Sequence, residues 1–169
     1  MRAFTVLGPS QSGKTELVKR LAALAGAPAR HETAAHLSFT RFGFISESWV
    51  AIDLAGGPEF ARMAGAALAA SDAAVLCVGA DPDEAVLAAP YLRAIDDAGL
   101  PCLIFINRMD LPKGRVRDIV AALQAYTNHS IVLRQVPIRE GGQVVGAVDL
   151  ISERAWRYRE GQTSVLVEM

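Results

Sequence analysis

Cysteine is scarce in this chain, with two residues in 169. Cys77 lies in Ala73-Ala74-Val75-Leu76-Cys77-Val78 and Cys102 in Pro101-Cys102-Leu103-Ile104-Phe105-Ile106. No ligand spacing links them, which excludes a disulfide scaffold and a thiolate metal site. Both are expected as small buried core residues of a reducing cytoplasm. Histidine is also rare: His31, His36 and His129 have no acidic or cysteine neighbour at metal spacing and read as solvated surface. An excess of one charge is missing, since 17 basic residues face 18 acidic ones for a net charge of −1. Bulk electrostatics therefore give no grip on nucleic acid or a membrane surface. No apolar run is long enough to span a bilayer, and Phe4-Thr5-Val6-Leu7 is too short for a secretory leader.

What is present suits a globular domain. Half of the residues are apolar (51%), enough for a full core in a chain of this length. Arg2 to Leu7 reads as a buried strand ended by Gly8-Pro9, and Lys14 to Ala25 as a helix stopped by Gly26 and Pro28. Arg30 to Leu37 is polar and irregular and reads as a loop. Strands are expected at Ser38–Ile45, Ser48–Leu54, Ala73–Gly79, Pro101–Asn107 and Ile131–Pro137. Helices are expected at Glu59–Ala70, Pro82–Ala98 and Gly114–Thr127. This alternation predicts an α/β fold, a mostly parallel sheet with helices on both faces and ligands at the carboxyl ends of its strands. The tail is different: Gln143 to Ile151, Trp156 to Tyr158 and Ser164 to Val167 read as β structure.

The sharpest feature is Gly8-Pro9-Ser10-Gln11-Ser12-Gly13-Lys14-Thr15, which satisfies G-x-x-x-x-G-K-[ST] between a strand and a helix. Such a P-loop wraps phosphate with main-chain N–H groups, here of Ser10, Gln11, Ser12, Gly13 and Lys14, because glycines at 8 and 13 keep side chains out of the way. Lys14 is expected to reach the β- and γ-phosphates and the Thr15 hydroxyl to take one Mg²⁺ position. Asp53 ends a strand and opens Asp53-Leu54-Ala55-Gly56. It is the candidate second metal residue, and the Gly56 N–H the candidate γ-phosphate sensor. Asn107-Arg108-Met109-Asp110 closes another strand and resembles the Asn-Lys-x-Asp signature of GTPases. A carboxylate at Asp110 accepts from guanine N1–H and its exocyclic amine, a pattern that adenine cannot offer. Asn107 would tie this segment to the phosphate loop, and Arg108 would lay its guanidinium plane over the base.

These motifs, followed by Gln135-Val136-Pro137-Ile138, Gly146-Ala147-Val148-Asp149-Leu150 and Ser152 to Tyr158 with Ala155 and Trp156, resemble the bacterial elongation factor G family. The resemblance covers essentially the whole chain. It implies a P-loop GTPase that binds GTP and GDP with Mg²⁺ and works on the ribosome, with a core over residues 1–133. The start of an inserted β-rich subdomain would follow over 134–169. The chain would then be a piece of a longer protein, ending before the family's last guanine loop.

Two departures stand out. The family's switch reads Asp-Thr-Pro-Gly-His, so Gly57 stands where a water-positioning His is normal, and glycine orients no nucleophile. The family's long first switch, whose Thr completes the Mg²⁺ shell, is not visible; Thr33 and Thr40 are candidates, and Thr33, read as a loop residue, is the better one. Three functions therefore compete: a hydrolytic GTPase using Lys14 and Gly56, a guanine-nucleotide switch that hardly hydrolyses, and a different P-loop kinase or ATPase. Arg154, Arg157 and Arg159, interleaved with Trp156 and Tyr158, read as a solvated strand face, so no direct nucleic-acid site is expected in this segment. Asp81, Asp83 and Glu84 read as an acidic helix start.

Overall fold

The apolar run that opens the chain becomes an inner strand. Arg2–Leu7 (β1) lies between Glu47–Leu54 (β4) and Ala73–Gly79 (β5), parallel to both, and Cys102–Asn107 (β6) pairs parallel with β5. Arg30–Ala34 (β2) and Leu37–Phe44 (β3) continue the sheet antiparallel beyond β4, giving the order β2-β3-β4-β1-β5-β6. The computed structural model describes residues 1–25, 30–110, 113–159 and 162–167. The helix stops read at Gly26 and Pro28 lie outside the described residues.

Alternation along each buried strand sends side chains to two cores. On β5, Cys77 joins Phe4, Val6 and Ala51 beneath Val18 of Lys14–Leu24 (α1). Ala74, Leu76 and Val78 point the other way. There they meet Leu68 of Ala64–Ala69 (α3), Tyr91, Leu92 and Ile95 of Ala89–Ala98 (α4), and Ile119 and Leu123 of Val116–Gln124 (α5). Helices thus cover both faces of a mixed sheet with three parallel and two antiparallel pairings. No helix among the described residues is long and apolar enough to cross a membrane.

Several local expectations need correction. The segment read as a loop from Arg30 to Leu37 is a hairpin arm: all five residues of β2 are exposed, so no apolar alternation betrays the strand. Its turn is Ala35-His36, with Ala35 at φ 52°. The helix expected over Glu59–Ala70 is split into Pro58–Ala61 (α2) and α3, because Met63 N–H bonds the Phe60 carbonyl three residues back rather than four. The helix expected over Pro82–Ala98 begins as a 3-10 helix, Pro82–Ala88, and becomes α-helical only at Ala89. Pro90 lacks an N–H and cannot continue an i→i−4 ladder from the preceding turn.

The strand expected over Ile131–Pro137 starts at Gln135; Ile131 instead donates its N–H to Gln124 Oε1 at 2.8 Å. Cys102, expected in the core, is exposed. It sits on the last strand of the sheet, where Leu103 also stays 54% exposed.

A second, antiparallel sheet holds Gln135–Glu140 (β7), Gln143–Asp149 (β8), Arg154–Arg159 (β9) and Gln162–Val167 (β10) in the order β10-β9-β8-β7. Asp149 organises the turn from β8 to β9. Its Oδ1 accepts from the N–H groups of Ser152 (2.9 Å) and Ile151 (3.0 Å), and Oδ2 faces Arg134 Nε at 3.2 Å. These donors, the Ser152 amide foremost, hold its carboxyl below the usual range. In the basic cluster, Arg157 is bound by Glu140 across the sheet, while Arg154 and Arg159 are exposed.

Candidate nucleotide-binding site

The loop between β1 and α1 is shaped by two close approaches. Gly8 has φ 143°, and a Cβ there would lie 2.1 Å from the Cys77 carbonyl oxygen of the neighbouring strand. Gly13 has φ 93°, and a Cβ there would lie 2.1 Å from Asn107 Nδ2. That amide donates to the Ser12 carbonyl at 2.9 Å, and the Cys77 thiol donates to the same oxygen at 3.1 Å. The loop and the end of β6 are therefore joined by a side-chain hydrogen bond spanning 95 residues of sequence. Gly13→Ala is expected to cost about 1–2 kcal/mol of stability in left-handed backbone strain alone. It also pushes Asn107 off Ser12; a melting curve and a nucleotide titration on the variant check both effects.

Lys14 lies along the inside of the loop, its Nζ donating to the carbonyls of Pro9 (2.8 Å) and Gly8 (3.1 Å). It is 6% exposed. Burial pulls its pKa below the ordinary value, partly opposed by the negative charge of Asp53. Asp53, at the end of β4, is also buried, and burial pushes its carboxyl up against the opposing pull of Thr15, Lys14 and His31.

The Thr15 hydroxyl donates to Asp53 Oδ2 at 2.5 Å. Asp53 Oδ1 has no hydrogen-bond partner, nor does Ser12 Oγ. With Trp49 Nε1 they are the three buried side-chain polar atoms so orphaned among the described residues. An unpaired carboxylate oxygen beside a threonine hydroxyl is a hard-oxygen pair of the kind Mg²⁺ takes from a protein when phosphates and water supply the rest. Magnesium therefore fits the residues present.

Thr33 is not brought to that pair. It sits on β2, exposed, opposite Ser38, which itself stands opposite Asp53. Two strand spacings put it about 10 Å from Asp53 in the sheet. Thr40 is buried in β3 and faces His31 Nδ1 at 3.0 Å.

The base-side residues lie at the carboxyl end of β6. Arg108 has φ 58° and lines a cleft of about 100 Å³ together with Ser10, Gln11, Asp81 and Glu84. Asp110 is exposed, three residues beyond Asn107 at the end of β6. The chain just beyond is pinned: Lys113 donates its N–H to the Ala80 carbonyl at 2.9 Å and its Nζ to Asp81 Oδ2 at 2.7 Å. Asp81, read from sequence as a helix-start acid alone, thus also anchors this loop.

On the phosphate side, Gly56 packs on the loop, and a Cβ there would lie 2.6 Å from Lys14 Nζ and 2.7 Å from Ser10 N. Gly57 is bonded by the Tyr91 hydroxyl, and the Ala55 N–H donates to the His36 carbonyl at 3.0 Å. The His36 ring lies against Phe60, 4.5 Å between centroids with the planes tilted by 43°. Sequence reasoning missed Tyr91, whereas His36, read as solvated surface, is exposed and meets Ala55 through its backbone carbonyl. Nothing in the spacing of Tyr91, 34 residues from its partner, signals the contact.

Residues 33–155 match the family described as elongation factor Tu GTP binding domain; the phosphate loop lies ahead of the matched span. Over 97% of its length the chain is 26% identical to an elongation factor G-like protein of Synechocystis, of which it covers 27%. It is 32% identical over 66% of its length to the mitochondrial elongation factor G of Drosophila grimshawi, covering 15% of that protein. A crystal structure from Thermus thermophilus superposes with a TM-score of 0.80 at 26% identity, covering 100% of this chain and 28% of the other. The chain spans less than a third of the length of each of these relatives. A match running over most of the chain, on a sheet whose strand ends carry both the phosphate loop and the guanine-type segment, makes this protein a member of the elongation factor Tu GTP-binding domain family, similar to elongation factor G.

Proposed function

We propose that the chain binds GTP and GDP with Mg²⁺ as the nucleotide-binding end of an elongation-factor-G-like protein, and that GTP hydrolysis in the whole protein serves the ribosome. In this reading residues 1–133 form the nucleotide-binding core, 134–169 begin an inserted subdomain, and the protein works in the cytoplasm. The observation that carries it is the hydrogen bond from Asn107 to the Ser12 carbonyl, which joins a base-reading segment to a phosphate cradle. The loop amides of residues 10–14 and Lys14 hold the phosphates. Thr15 and Asp53 would hold Mg²⁺, which neutralises phosphate charge when bound. Asp110 selects guanine, and Arg108 covers the base.

The second reading is a guanine-nucleotide switch that hydrolyses GTP slowly or not at all. Its support is Gly57, whose φ of 144° suits glycine and few other residues, and whose missing Cβ would lie 2.6 Å from Glu59 Oε1. A histidine does not drop into that backbone, so the substitution is built into the turn.

Calorimetric titration of the chain with GDP, GTP and ATP, with and without Mg²⁺, tests the first reading. Guanine nucleotides should bind in preference to ATP, and more tightly with Mg²⁺. Equal binding of ATP defeats the guanine assignment. Phosphate release from GTP by the whole protein with ribosomes then separates enzyme from switch.

A further inference from the structure

We propose that Tyr91 sets the preference of this site between guanosine diphosphate and triphosphate, by latching the Gly56–Gly57 turn across the place where a terminal phosphate must sit. This rests on the guanine-nucleotide reading above and adds a residue that no phosphate or base motif contains.

The latch is a single hydroxyl engaging both backbone groups of one residue. Tyr91 Oη donates to the Gly57 carbonyl at 2.8 Å and accepts from the Gly57 N–H at 3.0 Å. The side chain rises from α4 through the core and is 1% exposed. Burial raises the phenol's pKa, which keeps the proton on the oxygen that must donate it. Gly57, also buried, has no water to take Tyr91's place while the turn is closed.

What the latch holds is set by Gly56. A Cβ built on Gly56 would stand 2.6 Å from Lys14 Nζ and 2.7 Å from Ser10 N, so the turn lies in contact with the phosphate loop. A phosphoryl group bridging the Gly56 N–H and Lys14 needs about 3 Å of hydrogen-bond length on each side, besides its own width. A Cβ stands about 2.5 Å from its own N, so the Gly56 N–H group lies within about 5 Å of Lys14 Nζ while the turn is closed, less than that span. A triphosphate must lift the turn away and break the bonds to Tyr91; a diphosphate leaves both untouched. A ligand shifts a two-state element only by its differential affinity for the two states, so the strength of the latch is subtracted from triphosphate binding alone. Glycine at 57 is part of the device. Its backbone takes a conformation that other residues resist, and so presents N–H and carbonyl to one hydroxyl.

The test is Tyr91→Phe in the full 169-residue chain, titrated with GDP and with a non-hydrolysable GTP analogue in Mg²⁺. The ring and its packing remain, and the two bonds go. Triphosphate affinity should rise about tenfold, the worth of two ordinary net hydrogen bonds. GDP affinity should stay within about twofold, since that ligand leaves the turn where it lies. An unchanged ratio of the two affinities overturns the latch. Binding of neither nucleotide by the wild type overturns the guanine-nucleotide reading and the latch with it, whereas binding of both with an unchanged ratio defeats the latch alone. A melting curve shows whether the variant folds. Should it not, amide exchange at Gly57 in the wild type decides: protection with GDP and about tenfold faster exchange with the triphosphate analogue is the expected pattern. Equal protection with both overturns the proposal.

Discussion

Lys14→Met weakens binding of both GDP and GTP by about 100-fold or more, because it removes charge-assisted hydrogen bonds that together contribute about 3 kcal/mol. The phosphate loop's amides survive the substitution, so residual binding remains. Stability falls as well. The Gly8 and Pro9 carbonyls lose the Nζ that each accepts from, and a buried acceptor left unpaired costs about 1–3 kcal/mol. Asp53 loses a nearby cation that now draws its carboxyl down against burial.

That last effect fixes a pH dependence. A carboxyl whose folded pKa lies above its unfolded one makes the folded state hold its proton longer, so stability declines as pH rises from the unfolded pKa through the folded one. In the wild type, Lys14 narrows that window; in Lys14→Met the Asp53 window widens upward, and the variant loses more stability between acid and neutral pH. Melting curves taken across the acid range should diverge in that direction. Parallel curves would show that Lys14 does not feel Asp53.

On the proposed reading, Asp110→Ala should remove most of the choice of purine and leave the fold alone. Two hydrogen bonds from guanine to a carboxylate contribute about 3 kcal/mol or more, so the preference for GTP over ATP should fall by about 100-fold or more. The loss comes mainly from weaker GTP binding, because ATP makes no use of the carboxylate. Asp110 is exposed, so the melting temperature should move little; surface changes of this kind stay within about 0.5 kcal/mol. Competition titrations of GTP against ATP on wild type and variant give the ratio directly. A variant that still prefers GTP as strongly would move base recognition to Arg108 or to backbone groups.

The contrast between these two residues shows what could be read in advance. The places of Lys14 and Asp110 are legible because the motifs proposed for them fix residue types and spacing next to a strand end, and the strands before them, β1 and β6, form as expected. β1, β5 and β6 are legible for a related reason: each is a short apolar run between turn residues. β2 is not, because its side chains all face solvent, and its hydrogen bonds to β3 leave no mark in hydropathy. The break at Ala88-Ala89 depends on Pro90, whose effect on the preceding turn is legible only once the register of the helix is known. Cys102 looks like Cys77 in sequence, and only the strand order separates an inner strand from an outer one. Tyr91 and Gly57 could not be paired at all: one lies in an ordinary amphipathic helix and the other in a turn, and the fold alone brings them together.

Asn107 has a consequence that reaches past its own hydrogen bond. By clasping Ser12 it ties together the two segments proposed to hold the two ends of a nucleotide. Once either end of a nucleotide is seated, the other is delivered at high effective concentration. Inorganic pyrophosphate and free guanosine, each gripping one end, forfeit that advantage, and their separate affinities should not multiply up to that of the intact nucleotide.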